Sequence, residues 1–155
     1  MTTPSILPVG YAGTSTDYLK TKVDHSGADR SSFGVVSVPT GTTTTTIVGL
    51  VPFNKGARLT DSYLYSAALG ASVTLDLGYV YNDSVANTNK SNAFVAASTT
   101  AAAGGSIIAN TPDVATWTAT GDGWIVAVVG GATTGSTGNL SYRTSLNYDV
   151  GGLPT

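Results

Sequence analysis

The chain has no cysteine, no glutamate and no glutamine. Without cysteine there is no disulfide and no thiolate zinc site. Without Glu and Gln, good helix formers are missing, and nine aspartates are the only acidic side chains. Charged residues make up 10% of the 155 positions, against about 25% in an ordinary soluble domain. The seven Lys and Arg are scattered, and the formal net charge is −2. A nucleic-acid surface needs clustered cations on phosphates, so that partner is not expected. No apolar run approaches the ~20 residues of a membrane-spanning helix, so no membrane is expected either. The opening MTTPSILPVG has no cation before its short apolar patch and carries two prolines. It does not match a secretory signal, and synthesis in a cytoplasm is the expectation.

What is present favours strands. Apolar residues make up 41% of the chain, enough for one domain with a real core. Thr is the commonest residue, followed by the 19 Gly. Thr suits a pleated surface. A surface of Thr, Gly and Ala with little charge opposes association weakly, so an assembled state is expected.

The strongest folding signal lies at 56–83, GARLTDSYLYSAALGASVTLDLGYVYND. It reads as two strands joined by the small-residue turn 67–71. In the second strand Val73, Leu75, Leu77, Tyr79 and Tyr81 alternate with Ser72, Thr74, Asp76, Gly78 and Val80, nearly the period of a half-buried strand. Before it, 33–38 reads as a short strand, and the threonine run 42–46 leads into a strand through Val51. Pro52 ends that strand or places it on an edge. Residues 82–92 form a polar loop. The segment 92–103 carries a helical pattern, with Asn92 as cap and Gly104-Gly105 as stop. Short strands are expected at 106–109 and 114–118. The apolar run 124–129 suits a central strand buried on both faces. The last strand, 140–150, alternates Leu140, Tyr142, Thr144, Leu146 and Tyr148 against polar positions. The expected fold is therefore all-β: a two-sheet antiparallel β-sandwich of jelly-roll type, with one short helix inserted around 92–103. An up-and-down barrel is the alternative. The expected layout is an N-terminal arm over 1–32, the sandwich over 33–150 and a tail over 151–155.

No residue set announces a reaction. The single histidine, His25, lies in a loop-like stretch, and no GxSxG pattern accompanies any serine. Asp61 and Asp76 are the best carboxylate pair if they lie on one hairpin, but strand parity places them on a solvated face. Asn82, Asp83, Asn87 and Asn89 match no calcium loop. Neither a catalytic residue nor a metal or cofactor is expected. Trp117 and Trp124 flank the Asp122-Gly123 turn. They read either as a cross-strand packing pair or as a platform for stacking glycans. Tyr79, Tyr81, Tyr142 and Tyr148 are expected in the core or an interface.

One set of motifs resembles a family. Residues 55–59 (KGARL), 68–72 (ALGAS), 75–79 (LDLGY), Asn82-Asp83, 93–97 (AFVAA) and 102–105 (AAGG) resemble capsid cement, or decoration, proteins of tailed bacteriophages. The similarity covers about a third of the chain. It implies a small jelly-roll-like domain on the outer capsid surface of the virion, made in the host cytoplasm. It also implies self-association as a homotrimer and the major capsid protein as partner. Under that reading Tyr11, Tyr18, Leu19 and Lys20 in the arm are the capsid-contact candidates. The alternative is a head-fibre or tail-associated virion protein binding host glycans through Trp117 and Trp124.

Overall fold

A computed structural model describes residues 4–7, 30–83, 85–109 and 111–148. In chain order the elements are β1 (Arg30–Val38), β2 (Ile47–Phe53), β3 (Ala57–Ser66), β4 (Thr74–Tyr81), β5 (Lys90–Ser98), α1 (Thr100–Ala103), β6 (Gly105–Ile108), α2 (Pro112–Thr116), β7 (Gly123–Gly130) and β8 (Gly138–Tyr148). The strands form two four-stranded sheets, ordered β1-β8-β3-β6 and β2-β7-β4-β5. Every neighbouring pair is antiparallel. Consecutive strands change sheet, except at β4-β5. That wrapped order is a jelly roll, the expected architecture.

Alternation sets the faces. In β8, Leu140, Tyr142, Thr144, Leu146 and Tyr148 are buried while the residues between them are not. In β7 nearly every residue is buried, as expected for a strand between β2 and β4 with both faces covered. Ile125, Ala127 and Val129 point into the space between the sheets, where they meet Val36, Leu50, Phe53, Leu64, Leu75 and Leu140. Trp124, Val126 and Val128 point the other way and form a second cluster with Val80, against which Leu7 and Ile47 pack. Pro52 lies within β2, an edge strand where its missing N–H costs no ladder bond.

Three expectations are corrected. First, 56–83 is not a hairpin: β3 and β4 belong to different sheets. The segment 67–71 is a corner crossing the sandwich. Leu69 is fully buried there. Its N–H donates to the Ala101 carbonyl (2.9 Å), and its carbonyl accepts from the Gly135 amide (2.8 Å). Gly70, at φ 122°, passes so close to this strap that a Cβ would lie 2.8 Å from the Gly135 nitrogen. Second, most of 92–103 is strand β5, and only Thr100–Ala103 is helical. Burial of Ala93, Phe94 and Val95 against the core outweighs the segment's local helical pattern. Third, the region expected as a strand at 114–118 is largely the one-turn helix α2, started by Pro112 at its first turn. As expected, the threonine run 42–46 leads into a strand, β2, and is itself a loop. It is tied by Thr134, whose buried hydroxyl donates to the Pro39 carbonyl (2.7 Å) and accepts from the Thr42 amide (2.9 Å).

The motif Leu75–Tyr79 has a steric reason. A Cβ on Gly78 would stand 2.2 Å from the Lys90 carbonyl oxygen and 2.4 Å from the Ser91 carbonyl carbon. Glycine there lets β5 cross close over β4, where the pairing is interrupted by register shifts.

Candidate interaction surface

The two sheets differ on their outer faces. The outer face of the β1-β8-β3-β6 sheet is open. Its strands are aligned so that Phe33 stands opposite Arg143, Arg143 opposite Tyr63, and Tyr63 opposite Ile108. The next row is Val35, Ser141, Tyr65 and Ser106. Phe33 is 82% exposed and Ile108 55%, and Val35, Tyr63 and Tyr65 are exposed as well. Five apolar or aromatic side chains on one flat face are more than scattered surface residues. Tyr, Phe and Arg are also the types enriched where proteins meet.

The polar groups of this face are bonded to one another. Arg143 Nη2 donates to Asp61 Oδ2 at 3.2 Å. Tyr63 and Ser106 share a hydroxyl–hydroxyl bond of 2.6 Å, as do Ser31 and Ser145 at 2.7 Å. The Arg143–Asp61 pair is exposed and adds little stability, but it leaves the centre of the face without net charge. A bulge in β3 between Leu59 and Asp61 resets the parity, so Leu64 faces inward while Tyr63 and Tyr65 face outward.

Among the described residues the carboxylates are engaged by neighbouring groups. Asp61 and Asp76 lie in different sheets, so they form no pair. Asp76 accepts from the Ala97 amide at 2.5 Å, Asp122 from the Lys55 amide at 2.8 Å, and Asp83 from the amides of Val85 and Ala86. Asp113 pairs with Lys90, whose ammonium is held above its ordinary pKa by that hydrogen bond and charge. Burial, then the neighbouring Tyr81, raises the Tyr79 hydroxyl above its ordinary value. A groove beside β2 and β7 is lined by Thr44, Ile47, Asp76, Ser91 and Val128, and its one carboxylate is the one engaged by Ala97.

The two tryptophans do not form a glycan platform. Trp117 is 8% exposed and Trp124 0%. Nor are they a cross-strand pair, since they belong to clusters on opposite faces of one sheet. Trp117 is the centre of an aromatic group. Phe53 meets it edge-on at 5.1 Å and Phe94 at 5.5 Å, and Tyr79 lies tilted at 5.1 Å. Such pairs add stability beyond area burial. Tyr81, Tyr142 and Tyr148 are buried, and Tyr79 packs partly buried against the core. The arm candidates Tyr11, Tyr18, Leu19 and Lys20, and His25, lie outside the described residues. Residues 5–6 run along β2: the Ser5 amide donates to the Ile47 carbonyl, and the Ile6 carbonyl accepts from the Gly49 amide.

Sequence reasoning missed Phe33, Val35, Tyr63, Tyr65 and Ile108. A signal was present in 33–38, FGVVSV, where both parities carry apolar residues. A strand apolar on both sides lies either in the middle of a covered sheet or on a surface that meets something else.

The fold has relatives among solved structures. A chain of the cyanophage Pam1 capsid asymmetric unit superposes with TM-score 0.64 and 23% identity, over 79% of this chain and 86% of that one. A chain of the capsid of Ralstonia phage GP4 gives TM-score 0.63 and 20% identity, over 83% and 89%. A chain of the acid-stable capsid of Helicobacter pylori bacteriophage KHP30 gives 0.52 and 14%, over 77% and 93%. No family model and no curated protein sequence matches the chain. At these identities the likeness is one of fold.

Proposed function

We propose that this chain is a structural protein of a tailed-bacteriophage virion. It binds the outside of the capsid and stabilises it, as cement or decoration proteins do, and it catalyses no reaction. The observation that carries this reading is the jelly roll, matched over 77–83% of this chain by chains of three phage capsid structures. The open face with Tyr63, Tyr65 and Ile108 supports it, because a protein that clamps others needs an apolar, nearly uncharged surface outside its own core. The partner is the major capsid protein and the place is the outer surface of the head. Each contact is modest alone and becomes strong when an assembly of copies grips several capsid subunits at once. The resemblance implies a trimer as that assembly on the capsid.

Undecorated heads of the phage that encodes the chain provide the test. Purified protein should co-sediment with them to saturation and raise the temperature at which they rupture. Failure to co-sediment at saturating protein would overturn the reading.

A further inference from the structure

The sandwich has four sheet edges, and three are protected. β2 carries Pro52 and a register shift between Gly49 and Val51, and residues 5–6 bond along it. β5 begins at Lys90 and pairs irregularly with β4, and Ala97 within it has φ 46°. β6 is four residues long. These are the usual devices against edge-to-edge association.

β1 has none of them. It is nine residues long, RSSFGVVSV. It pairs with β8 from Arg30 to Val38 without a register shift. It contains no proline and, after Arg30, no charge. Among the described residues nothing hydrogen-bonds to its free edge. A long edge without a bulge or a charge along it is a template for another strand.

The strand is also complementary to itself. Turned antiparallel about Gly34, it places Phe33 opposite Val35 of a second copy and Ser31 opposite Ser37. In this register the outward-facing positions of one copy meet those of the other. Arg30, the one charged residue, stands opposite Val38 rather than opposite itself, so no like charges meet. A different protein would have no charge on this edge to recognise, whereas a second copy brings the matching pattern. Nine residues give an edge about 30 Å long. With side chains on both faces it buries on the order of 1,000 Å² over two partners, near the lower limit of specific interfaces.

We propose that two copies of this chain join through β1, antiparallel about a two-fold axis at Gly34, merging their β1-β8-β3-β6 sheets into one continuous sheet. The joined sheet carries two sets of Tyr63, Tyr65 and Ile108 on one face. The pairing needs no capsid, stands apart from the capsid-binding reading, and gives two copies in solution where the resemblance implies three.

The test is the mass of the full chain in solution, measured by sedimentation from about 1 μM to about 1 mM, where an interface this small dissociates. Wild type should pass from one chain to two. The F33K/V35K variant places lysines opposite lysines across the axis, at two positions exposed in the single chain. The lysine at position 33 would face Arg143 on β8. The variant is therefore compared with wild type below the dimerisation range, where it should melt within a few degrees of it. It should dimerise at least about tenfold more weakly. Because the chain has no cysteine, F33C/V35C supplies an independent measurement. It should form a disulfide-linked dimer on mild oxidation, while T60C on β3 of the same sheet should not. Wild type staying a monomer at the highest concentration, or sedimenting as a trimer, would overturn the inference. So would F33K/V35K dimerising as tightly as wild type, or F33C/V35C giving no cross-linked dimer.

Discussion

The outer faces of the two sheets are both apolar, yet they have opposite fates. On the β2-β7-β4-β5 sheet Val80, Trp124, Val126 and Val128 are buried, and Leu7 and Ile47 pack against them. On the β1-β8-β3-β6 sheet Phe33, Val35, Tyr63, Tyr65 and Ile108 stand in solvent. Residue type does not separate the two faces; cover does. Each large apolar side chain taken out of water contributes about 1.5–3 kcal/mol. On the covered face that free energy already stabilises the folded chain. On the bare face it remains available for a partner, less the cost of ordering the groups that meet.

The sharpest way to break this contrast is to truncate one ring on each face. Trp124→Ala should cost about 3–5 kcal/mol, because the cavity adds to the lost burial. Phe33→Ala should change stability by less than about 0.5 kcal/mol. Urea unfolding followed by tryptophan fluorescence reads the first through the remaining Trp117, and circular dichroism reads both. Equal losses would mean that the two faces are equally covered. A smaller effect is expected where β4 and β5 cross. Gly78→Ala drives a methyl into the Lys90 carbonyl and should destabilise by about 1–3 kcal/mol. Full stability in that variant would show that β5 can move aside. Thr134→Val removes the hydroxyl that joins the Pro39 carbonyl and the Thr42 amide, at about 1–2 kcal/mol. Faster proteolysis within 39–46 should accompany it.

On the bare face the readout is binding rather than stability. Tyr63→Ala with Ile108→Ser should leave the melting temperature within about 2 °C of wild type and weaken capsid co-sedimentation about tenfold or more. Unchanged binding would move the capsid contact off this face. The smallest effect is that of pH. Tyr79 and Lys90 both hold their protons more tightly in the folded chain than unfolded. The folded state then binds more protons, so their stabilising contribution is complete below about pH 10 and declines as pH rises above it. Melting temperature should fall as pH rises above about 10, less steeply in Asp113→Asn. A flat profile would remove any role for the pair.

Much of the fold is legible in local pattern. Alternation in Leu140–Tyr148 and continuous apolarity in 124–129 are properties of single strands, and each states its own burial. The errors share one cause. The segment 92–98 looks helical by itself, but Phe94 is worth more against the core than the local turn is worth alone. The segments 57–66 and 74–81 look like a hairpin because they are adjacent in sequence. Their true partners, β8 and β7, lie more than forty residues further along the chain. The exposed face escaped for the same reason. Tyr63 and Tyr65 resemble core tyrosines until the bulge after Leu59 turns them outward.

The motifs 55–59 and 75–79 now have a narrower meaning than a hairpin signature. They mark the strands on either side of a sandwich corner, with Gly78 permitting a close crossing. By itself the sequence determined the class: β-branched and small residues, no Glu or Gln, and period-two alternation leave an all-β fold as the stable solution. Only the tertiary structure decided which strands share a sheet, which apolar face is covered and which edge is left bare. Those choices depend on contacts between residues far apart in the chain, and local periodicity carries no term for them.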